Sequence, residues 1–371
     1  MRSSELRFHR PKELAATRPA EVQGRSRDSG RLLVSSPGGH LHARFVDLAD
    51  HLRAGDLLVV NRSATLPASL QATGKRGSFT LNLSTNYGAG LWLAEPRLGP
   101  AEPGPLPNLS AGDVFEVGGG EGRLIAPYPG LARLWFVHID GDVCRLLQQS
   151  GRPIRYGYLD NEYDLDYYQT IFSSVPGSAE MPSAAYPFTQ RVLRRLNNQG
   201  IRLAGILLHT GVSSLELTAE QVENHLVYPE PYKVSSSTAR AVNAARVRGS
   251  RVIAIGTTVV RALESAWDGK QIRPSAGFTS LYIHPNKKVN VVDGLLTGLH
   301  DPVTSHLAML YAIAGKELIQ EAYAEAVQMG YRWHEFGDSH LILPSKSLET
   351  PFYPDFRRTA GRTSGNWVIA I

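Results

Sequence analysis

The apolar pattern of this chain changes period part-way along, and that change limits the folds open to it. Between residues 63 and 150, apolar side chains recur at every second position in short runs. These are Phe79-Thr80-Leu81-Asn82-Leu83, Leu91-Trp92-Leu93-Ala94, Val114-Phe115-Glu116-Val117, Arg123-Leu124-Ile125 and Arg133-Leu134-Trp135-Phe136-Val137. Gly and Pro fill the gaps, most densely from Pro96 to Gly120. Side chains alternate between the two faces of a strand, so this spacing predicts a small antiparallel barrel or sandwich. Helical periodicity is nearly absent there until Val143–Ser150.

From Tyr167 onward the pattern alternates helix and strand. Thr189–Gln199 reads as an amphipathic helix closed by Gly200, Leu203–Leu208 as a buried strand and Ser236–Arg248 as a helix. Arg251–Ile255 is a strand, Thr258–Ala266 a helix, Ser280–Ile283 and Val289–Leu295 strands, and Ser305–Gly315 and Lys316–Met329 helices. Ahead of the β-rich stretch, Leu32–Ser35 and a segment near Leu41–Phe45 read as strands around Pro37-Gly38-Gly39. A short helix and the compact apolar strand Leu57–Val60 follow. Alternation of this kind is α/β. An all-β stretch lying early inside it predicts an inserted β-barrel domain at 63–150, with 1–62 returning to pack with 151–371 in one main domain. A length of 371 residues, more than one core usually serves, suits two domains.

Composition excludes several classes. With 42% apolar residues the chain has enough to bury, which rules out a disordered or fibrous protein. The one cysteine, Cys144, removes disulfide frameworks, zinc ribbons and Fe–S clusters. No apolar run approaches a membrane span of ~20 residues. Met1–Leu14 is charged and lacks the apolar segment of a secretory signal, so a soluble cytoplasmic protein is expected. Residues 1–31 hold eight Lys and Arg against four Asp and Glu, which is most of the net charge of +5. Such an arm either attracts phosphates or is a solvated, mobile terminus.

Three apolar strands end in polar residues, and ligands of α/β folds gather at such ends. The segments are Leu207-Leu208-His209-Thr210-Gly211, Ile253-Ala254-Ile255-Gly256-Thr257-Thr258, and Leu295-Leu296-Thr297-Gly298-Leu299-His300-Asp301-Pro302. In the second, Gly256 permits a tight turn into a helix that Thr257 and Thr258 can cap. Free N–H groups there suit a carboxylate or phosphate. Arg261, one turn in, can add a bidentate contact; the bland alternative is a capped helix with an Arg261–Glu264 surface pair. A lone strand-end histidine is usually structural, whereas two, His209 and His300, point to a shared site. Trp333-His334-Glu335-Phe336-Gly337-Asp338-Ser339-His340 lacks metal-ligand spacing, so no metal is expected. Gly118-Gly119-Gly120-Glu121-Gly122 reads as a hairpin loop rather than a dinucleotide fingerprint.

Taken in order, these segments resemble the S-adenosylmethionine:tRNA ribosyltransferase-isomerase family of queuosine biosynthesis. The matching features are Leu57-Leu58-Val59-Val60-Asn61 with Leu66-Pro67-Ala68, Tyr168-Gln169-Thr170, Pro176-Gly177 and Pro182-Ser183-Ala184. Leu208-His209 with Gly211, His225 with Glu230, and Arg251 through Thr258 to Arg261, Leu263, Glu264 and Ser265 continue the series. Thr297, His300, Pro302, Tyr331-Arg332 and Gly337-Asp338 complete it. The resemblance implies an α/β barrel-like main domain with an inserted antiparallel β-barrel domain. It also implies transfer of the ribosyl part of S-adenosylmethionine (SAM), as co-substrate, to the aminomethyl group of a 7-deazaguanine base in tRNA. Adenine and methionine leave, an epoxycyclopentane forms, and no metal is needed.

The chain departs from the family pattern in its loops. The family's Pro-Thr-Ala-Gly-Leu-His-Phe is Pro182-Ser183-Ala184-Ala185-Tyr186-Pro187-Phe188, so Pro187 replaces a histidine. A glycine becomes Ser213, and two arginines after Asn61 are absent. These changes suggest a diverged paralogue with altered chemistry or acceptor. Three readings follow: the family's tRNA reaction, SAM cleavage or ribosyl transfer with a small-molecule acceptor, and a non-catalytic module that binds a nucleoside or RNA. The expected site places Thr257, Thr258 and Arg261 on an anionic group such as the methionine carboxylate. His209 or His300 transfers a proton, and Ser183, His225, Glu230 and Asp338 line the pocket.

Overall fold

The computed structural model describes residues 1–344, apart from 76, 101, 103–105, 213–216 and 218. Ser213 therefore lies outside the described residues. The chain opens with short 3-10 turns between Ser3 and Ser29, followed by the hairpin β1 (Arg31–Ser36) and β2 (Gly39–Arg44). A 3-10 helix, Phe45–His51, leads to β3 (Leu57–Asn61) and the short β4 (Ser63–Thr65). Next come β5 (Ser69–Gly74), β6 (Gly77–Gly88), β7 (Leu91–Arg97), β8 (Val114–Val117), β9 (Gly120–Tyr128) and β10 (Leu131–Ile139). After α1 (Val143–Ser150) the order is β11 (Val175–Ser178), α2 (Gln190–Asn198), β12 (Arg202–Leu208), β13 (Glu230–Val234) and α3 (Ser236–Val247). It ends with β14 (Val252–Ile255), α4 (Thr257–Ser265), β15 (Ser275–Thr279), β16 (Gly294–Gly298), α5 (Ser305–Ala314), α6 (Lys316–Gln328) and β17 (Ser339–Ile342).

Two sheets dominate. Strands β5–β10 form a closed barrel in the order β10-β7-β6-β5-β8-β9, with every pairing antiparallel. Its alternating residues Leu81, Leu83, Trp92, Ala94, Phe115, Val117, Trp135 and Val137 share one buried cluster, as the period of two requires. The β8–β9 hairpin turns at Gly118 and Gly119. The other sheet has nine strands in the order β15-β13-β12-β3-β14-β16-β17-β1-β2, with β15 and β2 at its edges.

Strand β3 lies inside that larger sheet, paired in parallel with β12 and with β14. Leu57 and Val59 face the core built on α3–α6, whereas Leu58 and Val60 face the core built on α2 and the Phe45–His51 turn. Burial on both faces explains why β3 is a continuous apolar run rather than an alternating one. Strands β14 and β16 are also parallel, so β12, β3, β14 and β16 deliver their C-terminal ends to one edge.

Two expected strands differ. Ser280–Ile283 is not a strand; the ladder runs one segment earlier, over β15. The Leu281 N–H donates to Thr279 Oγ1 at 3.1 Å and its carbonyl accepts from Arg261 Nε at 2.9 Å, so side chains occupy the groups a ladder would use. Val289–Leu295 likewise forms a strand only from Gly294, because the Glu264 carboxylate accepts the N–H groups of Asn290 and Val291. Both runs are still partly buried, with Ile283 and Val291 in the core, which accounts for their strand-like composition.

At the opposite end of β3, the Arg251 guanidinium meets the Asp56 carboxylate, with Nε 3.1 Å from Oδ1, and both side chains are buried. Replacing one partner leaves an uncompensated buried charge. Asp56→Ala is expected to lower unfolding free energy by about 3–5 kcal/mol in urea titration. The double variant Asp56→Leu/Arg251→Met is expected to restore most of that loss, and a double variant no better than the single one would refute this account.

Candidate active site

The polar ends of β12, β14 and β16 converge on one cavity of about 290 Å³, contributing Thr210, Gly256-Thr257-Thr258 and Thr297 through Pro302. That volume is near the lower end of small-molecule sites. Tyr156, Tyr158 and Tyr168 form an aromatic wall, and Glu180, Ser183, His306, His334 and Glu335 add to the polar lining.

The turn from β14 into α4 depends on Gly256, which is the N-cap at φ +96°. A side chain would be strained there. Thr257 and Thr258 do not cap the helix by their side chains; Thr258 Oγ1 instead accepts from Asn61 Nδ2 at 3.3 Å. The first N–H groups of α4 lack intrahelical acceptors and lie on the cavity wall.

His300 is held from three sides. Its Nε2 lies 2.8 Å from Thr297 Oγ1, its N–H donates to the Tyr323 hydroxyl at 3.1 Å, and its carbonyl accepts from Trp333 Nε1 at 3.0 Å. Its ring stacks on His306 with centroids 4.7 Å apart and an interplanar angle of 15°. Burial pushes His300 well below the usual histidine range, and burial takes His306 down to about 4. His334 stacks flat on Tyr158 at 3.9 Å and is lowered by burial to about 4. It adopts φ +73°, an unusual conformation for a residue with a side chain. Glu335 moves the other way: burial raises its carboxyl, which accepts from the Tyr158 hydroxyl.

The other expected residues are distributed around this cavity. Ser183, Thr257, Thr258 and His300 line it. Glu230 and Arg261 line a neighbouring cavity of about 50 Å³, which shares His306 with the first. Arg261 pairs there with Glu230, not with Glu264, and also donates to the Leu281 carbonyl. His225 sits edge-on to Tyr282 of that small cavity, with centroids 5.4 Å apart. His209 lines a third cavity, of about 640 Å³, between the barrel and the larger sheet. Asp338 is taken up elsewhere, accepting from the backbone of Arg31 and Arg332 and pairing with the Arg31 guanidinium.

The N-terminal arm is packed onto the protein. Arg10 pairs with Asp301 at 2.6 Å, Arg18 with Asp160, Arg27 with Glu21 and Arg31 with Asp338. Tyr186 serves this arm: its hydroxyl accepts from Ala20 N at 2.9 Å and bonds Glu21, while Arg27 lies over its ring. Neither Tyr186 nor Pro187 lines the main cavity. Sequence reasoning did not single out His306, Glu180 or the tyrosine wall, and read His334-Glu335 only as a metal question. The available signal was the tyrosine-rich stretch Tyr156, Tyr158, Tyr163, Tyr167 and Tyr168. No group of three metal-ligating side chains occurs among the described residues.

A family model described as "Queuosine biosynthesis protein" matches residues 3–342. The S-adenosylmethionine:tRNA ribosyltransferase-isomerase of Moorella thermoacetica is 36% identical, over 92% of this chain and all of the relative. That of Rubrobacter xylanophilus is 38% identical, over 92% of this chain and 98% of the relative. The chain belongs to the S-adenosylmethionine:tRNA ribosyltransferase-isomerase family. The crystal structure of S-adenosylmethionine tRNA ribosyltransferase from Thermotoga maritima is also similar, with a TM-score of 0.52 and 27% identity. It covers 91% of this chain and 100% of that one. Within this family the chain's Pro187 cannot transfer a proton, yet the cavity carries His300, His306 and His334.

The buried histidines set an acid limit on stability. Their folded values lie below the unfolded value of ~6.5, so their contribution is complete above that pH and is lost as pH falls toward about 4 for His306 and His334. Glu335, shifted upward by burial, acts in the opposite sense. Urea unfolding at pH 7.5, 6 and 5 is expected to show stability falling on acidification, by up to ~1.4 kcal/mol per pH unit for each histidine. His306→Gln is expected to lessen the slope by about one proton. An unchanged slope in that variant would show that His306 is not held neutral.

Proposed function

We propose that the main cavity binds SAM and that the protein transfers its ribosyl group to the aminomethyl group of a 7-deazaguanine base in tRNA, releasing adenine and methionine. The observation that carries this reading is the convergence of three strand ends and the α4 N-terminus on one cavity, in a member of this family. The N–H groups of Thr257 and Thr258 suit the methionine carboxylate. The aromatic lining at Tyr156 and Tyr168 suits the sulfonium cation. Ser183 lines the same pocket, with His225, Glu230 and Arg261 around the adjoining one.

The sulfonium acidifies the neighbouring C5′–H. His300, kept neutral by burial, accepts that proton, and its electron pair stays on carbon. The sugar ring then opens with loss of adenine, the amine attacks, and methionine departs as the epoxycyclopentane closes. Residues 1–62 with the described residues from 151 onward serve as the main unit, and 63–150 as an inserted module. The position of β5–β10 between β4 and β11 in the chain supports that division. No described helix is long and apolar enough to cross a membrane, and the reading places the protein with its tRNA in the cytoplasm.

The test is mass spectrometry of purified protein with SAM, with and without tRNA bearing the aminomethyl-deazaguanine base. Adenine and methionine are expected in equal amounts, and only with that tRNA. Adenine without tRNA would replace tRNA by a small-molecule acceptor, and no adenine under either condition would overturn the reading. His300→Gln is expected to reduce turnover by about 10²–10⁴-fold, with the KM for SAM changed far less.

A further inference from the structure

The reaction as read needs two proton acceptors, and His300 provides one. The amine acceptor is an ammonium ion at neutral pH and must lose a proton before it can attack. His209, a strand-end histidine, lies outside the main cavity and borders the groove of about 640 Å³. The two spaces are nevertheless joined by hydrogen bonds. Thr210, on the main cavity wall, donates from its N and its Oγ1 to Ser178 Oγ, each at 3.0 Å. Ser178 Oγ lies 2.6 Å from Ser63 Oγ, and Ser63 Oγ lies 2.7 Å from His209 Nδ1.

The hydrogens have a relay-competent arrangement when the Thr210 hydroxyl turns to Ser178. Ser178 Oγ accepts twice from Thr210, so its own hydrogen goes to Ser63 Oγ, and the Ser63 hydrogen goes to His209 Nδ1. Ser63 and Ser178 are fully buried, which keeps water from breaking the chain. Thr210 Oγ1 has a second acceptor, the Glu180 carbonyl at 2.9 Å, so its hydroxyl can turn toward the chain or away from it. Gly177 makes room for the imidazole: a Cβ there would lie 2.4 Å from His209 Nδ1. Desolvation lowers the pKa of His209, which is therefore neutral and able to accept at pH 7.

We propose that Thr210, Ser178 and Ser63 form a proton relay that carries the acceptor ammonium's proton from the main cavity to His209, and so to solvent in the barrel-side groove. One substrate N–H bond breaks, leaving its electron pair on nitrogen, and an O–H bond forms at Thr210. The Thr210, Ser178 and Ser63 hydrogens each move one place along, and an N–H bond forms at His209 Nδ1. The imidazolium then releases its Nε2 proton to water. No oxidant or further reactant is required. Among the residues that line the groove, the other titratable groups are Tyr87 of β6, raised to about 12 by burial, and Cys144 of α1. None of them is a carboxylate or ammonium that would compete for the proton. Ser63, Ser178 and His209 are positioning residues in this scheme, because they act through Thr210.

This proposal rests on the ribosyl-transfer reading, and the experiment separates the two. Adenine release by the unaltered protein, with SAM and the aminomethyl-bearing tRNA, is measured first across pH 5.5–9. Absence of release would overturn the reading and the relay with it. Given release, Ser63→Ala and Ser178→Ala are each expected to lower kcat at pH 7 by about 10–100-fold and to move its acidic limb toward higher pH, with the KM for SAM changed less than threefold. Ser63→Thr, which keeps the hydroxyl, is expected to restore the profile. His209→Gln, which keeps a hydrogen-bond acceptor but cannot take the proton, covers the case in which an alanine variant fails to fold, and should match the serine losses. An unchanged pH profile in the alanine variants or in His209→Gln would overturn the relay. So would a loss confined to KM or to melting temperature.

Discussion

The amide of Asn61 fixes where the working parts of this protein lie. It ends β3, the strand shared by both cores, and is itself fully buried. Its Nδ2 donates to the Leu208 carbonyl at 2.8 Å and its Oδ1 accepts from the Leu208 N–H at 3.1 Å, which ties down the end of β12. The same amide reaches Thr258 Oγ1 in α4 and accepts from the Ser63 N–H. One side chain thus sets β12, α4 and β4 against one another. A buried amide left half-bonded is costly, so this network tolerates little drift. The cavity wall at Thr258 and the hydroxyl chain that passes through Ser63 both inherit their positions from it.

The barrel supplies the other boundary. Tyr87 of β6 and Phe278 of β15 stack with centroids 5.5 Å apart, bridging the barrel and the larger sheet. Ser84 of β6 receives the Val212 N–H at 2.9 Å just beyond the strand end that carries His209 and Thr210. The Tyr228 hydroxyl, buried against Leu93 and Leu134 of the barrel, donates to the Val212 carbonyl at 2.6 Å. Neither cavity belongs to one sheet alone. The main one draws on the strand ends and on the tyrosine segment that follows α1, and the groove lies where barrel and sheet meet.

What the sequence made legible was periodic or terminal. The barrel alternation, the two-sided apolar run of β3 and the three polar strand ends were readable because each is set by neighbours along the chain. The strands expected at Ser280–Ile283 and Val289–Leu295 were not, because Arg261 and Glu264 take their backbone groups from a helix far away in sequence. The position of Arg261 in α4 is visible in the sequence, but its pairing with Glu230 of β13 is not. Tyr186 stands in a motif loop, yet its hydroxyl serves the N-terminal arm, which joins the two only in three dimensions.

The protonation states in the cavity suit the charge of the proposed substrate. An imidazolium about 4 Å from a sulfonium would cost roughly 4 kcal/mol at an effective dielectric of 20. Burial holds His300, His306 and His334 neutral instead, so the wall can accept protons without repelling a cation. The carboxylates are restrained in turn: Asp301 is paired with Arg10, Glu180 and Glu335 accept from Tyr156 and Tyr158, and Glu335 is shifted toward its neutral form. A wall of strong anions would bind SAM tightly in its ground state without favouring the departure of its groups. A nearly neutral, aromatic wall bordered by weak bases suits the proposed cation and still offers a site for its proton. The acid–base capacity that Pro187 cannot supply is thereby present at residues distant from it in sequence, and the altered loop is compatible with the family's chemistry.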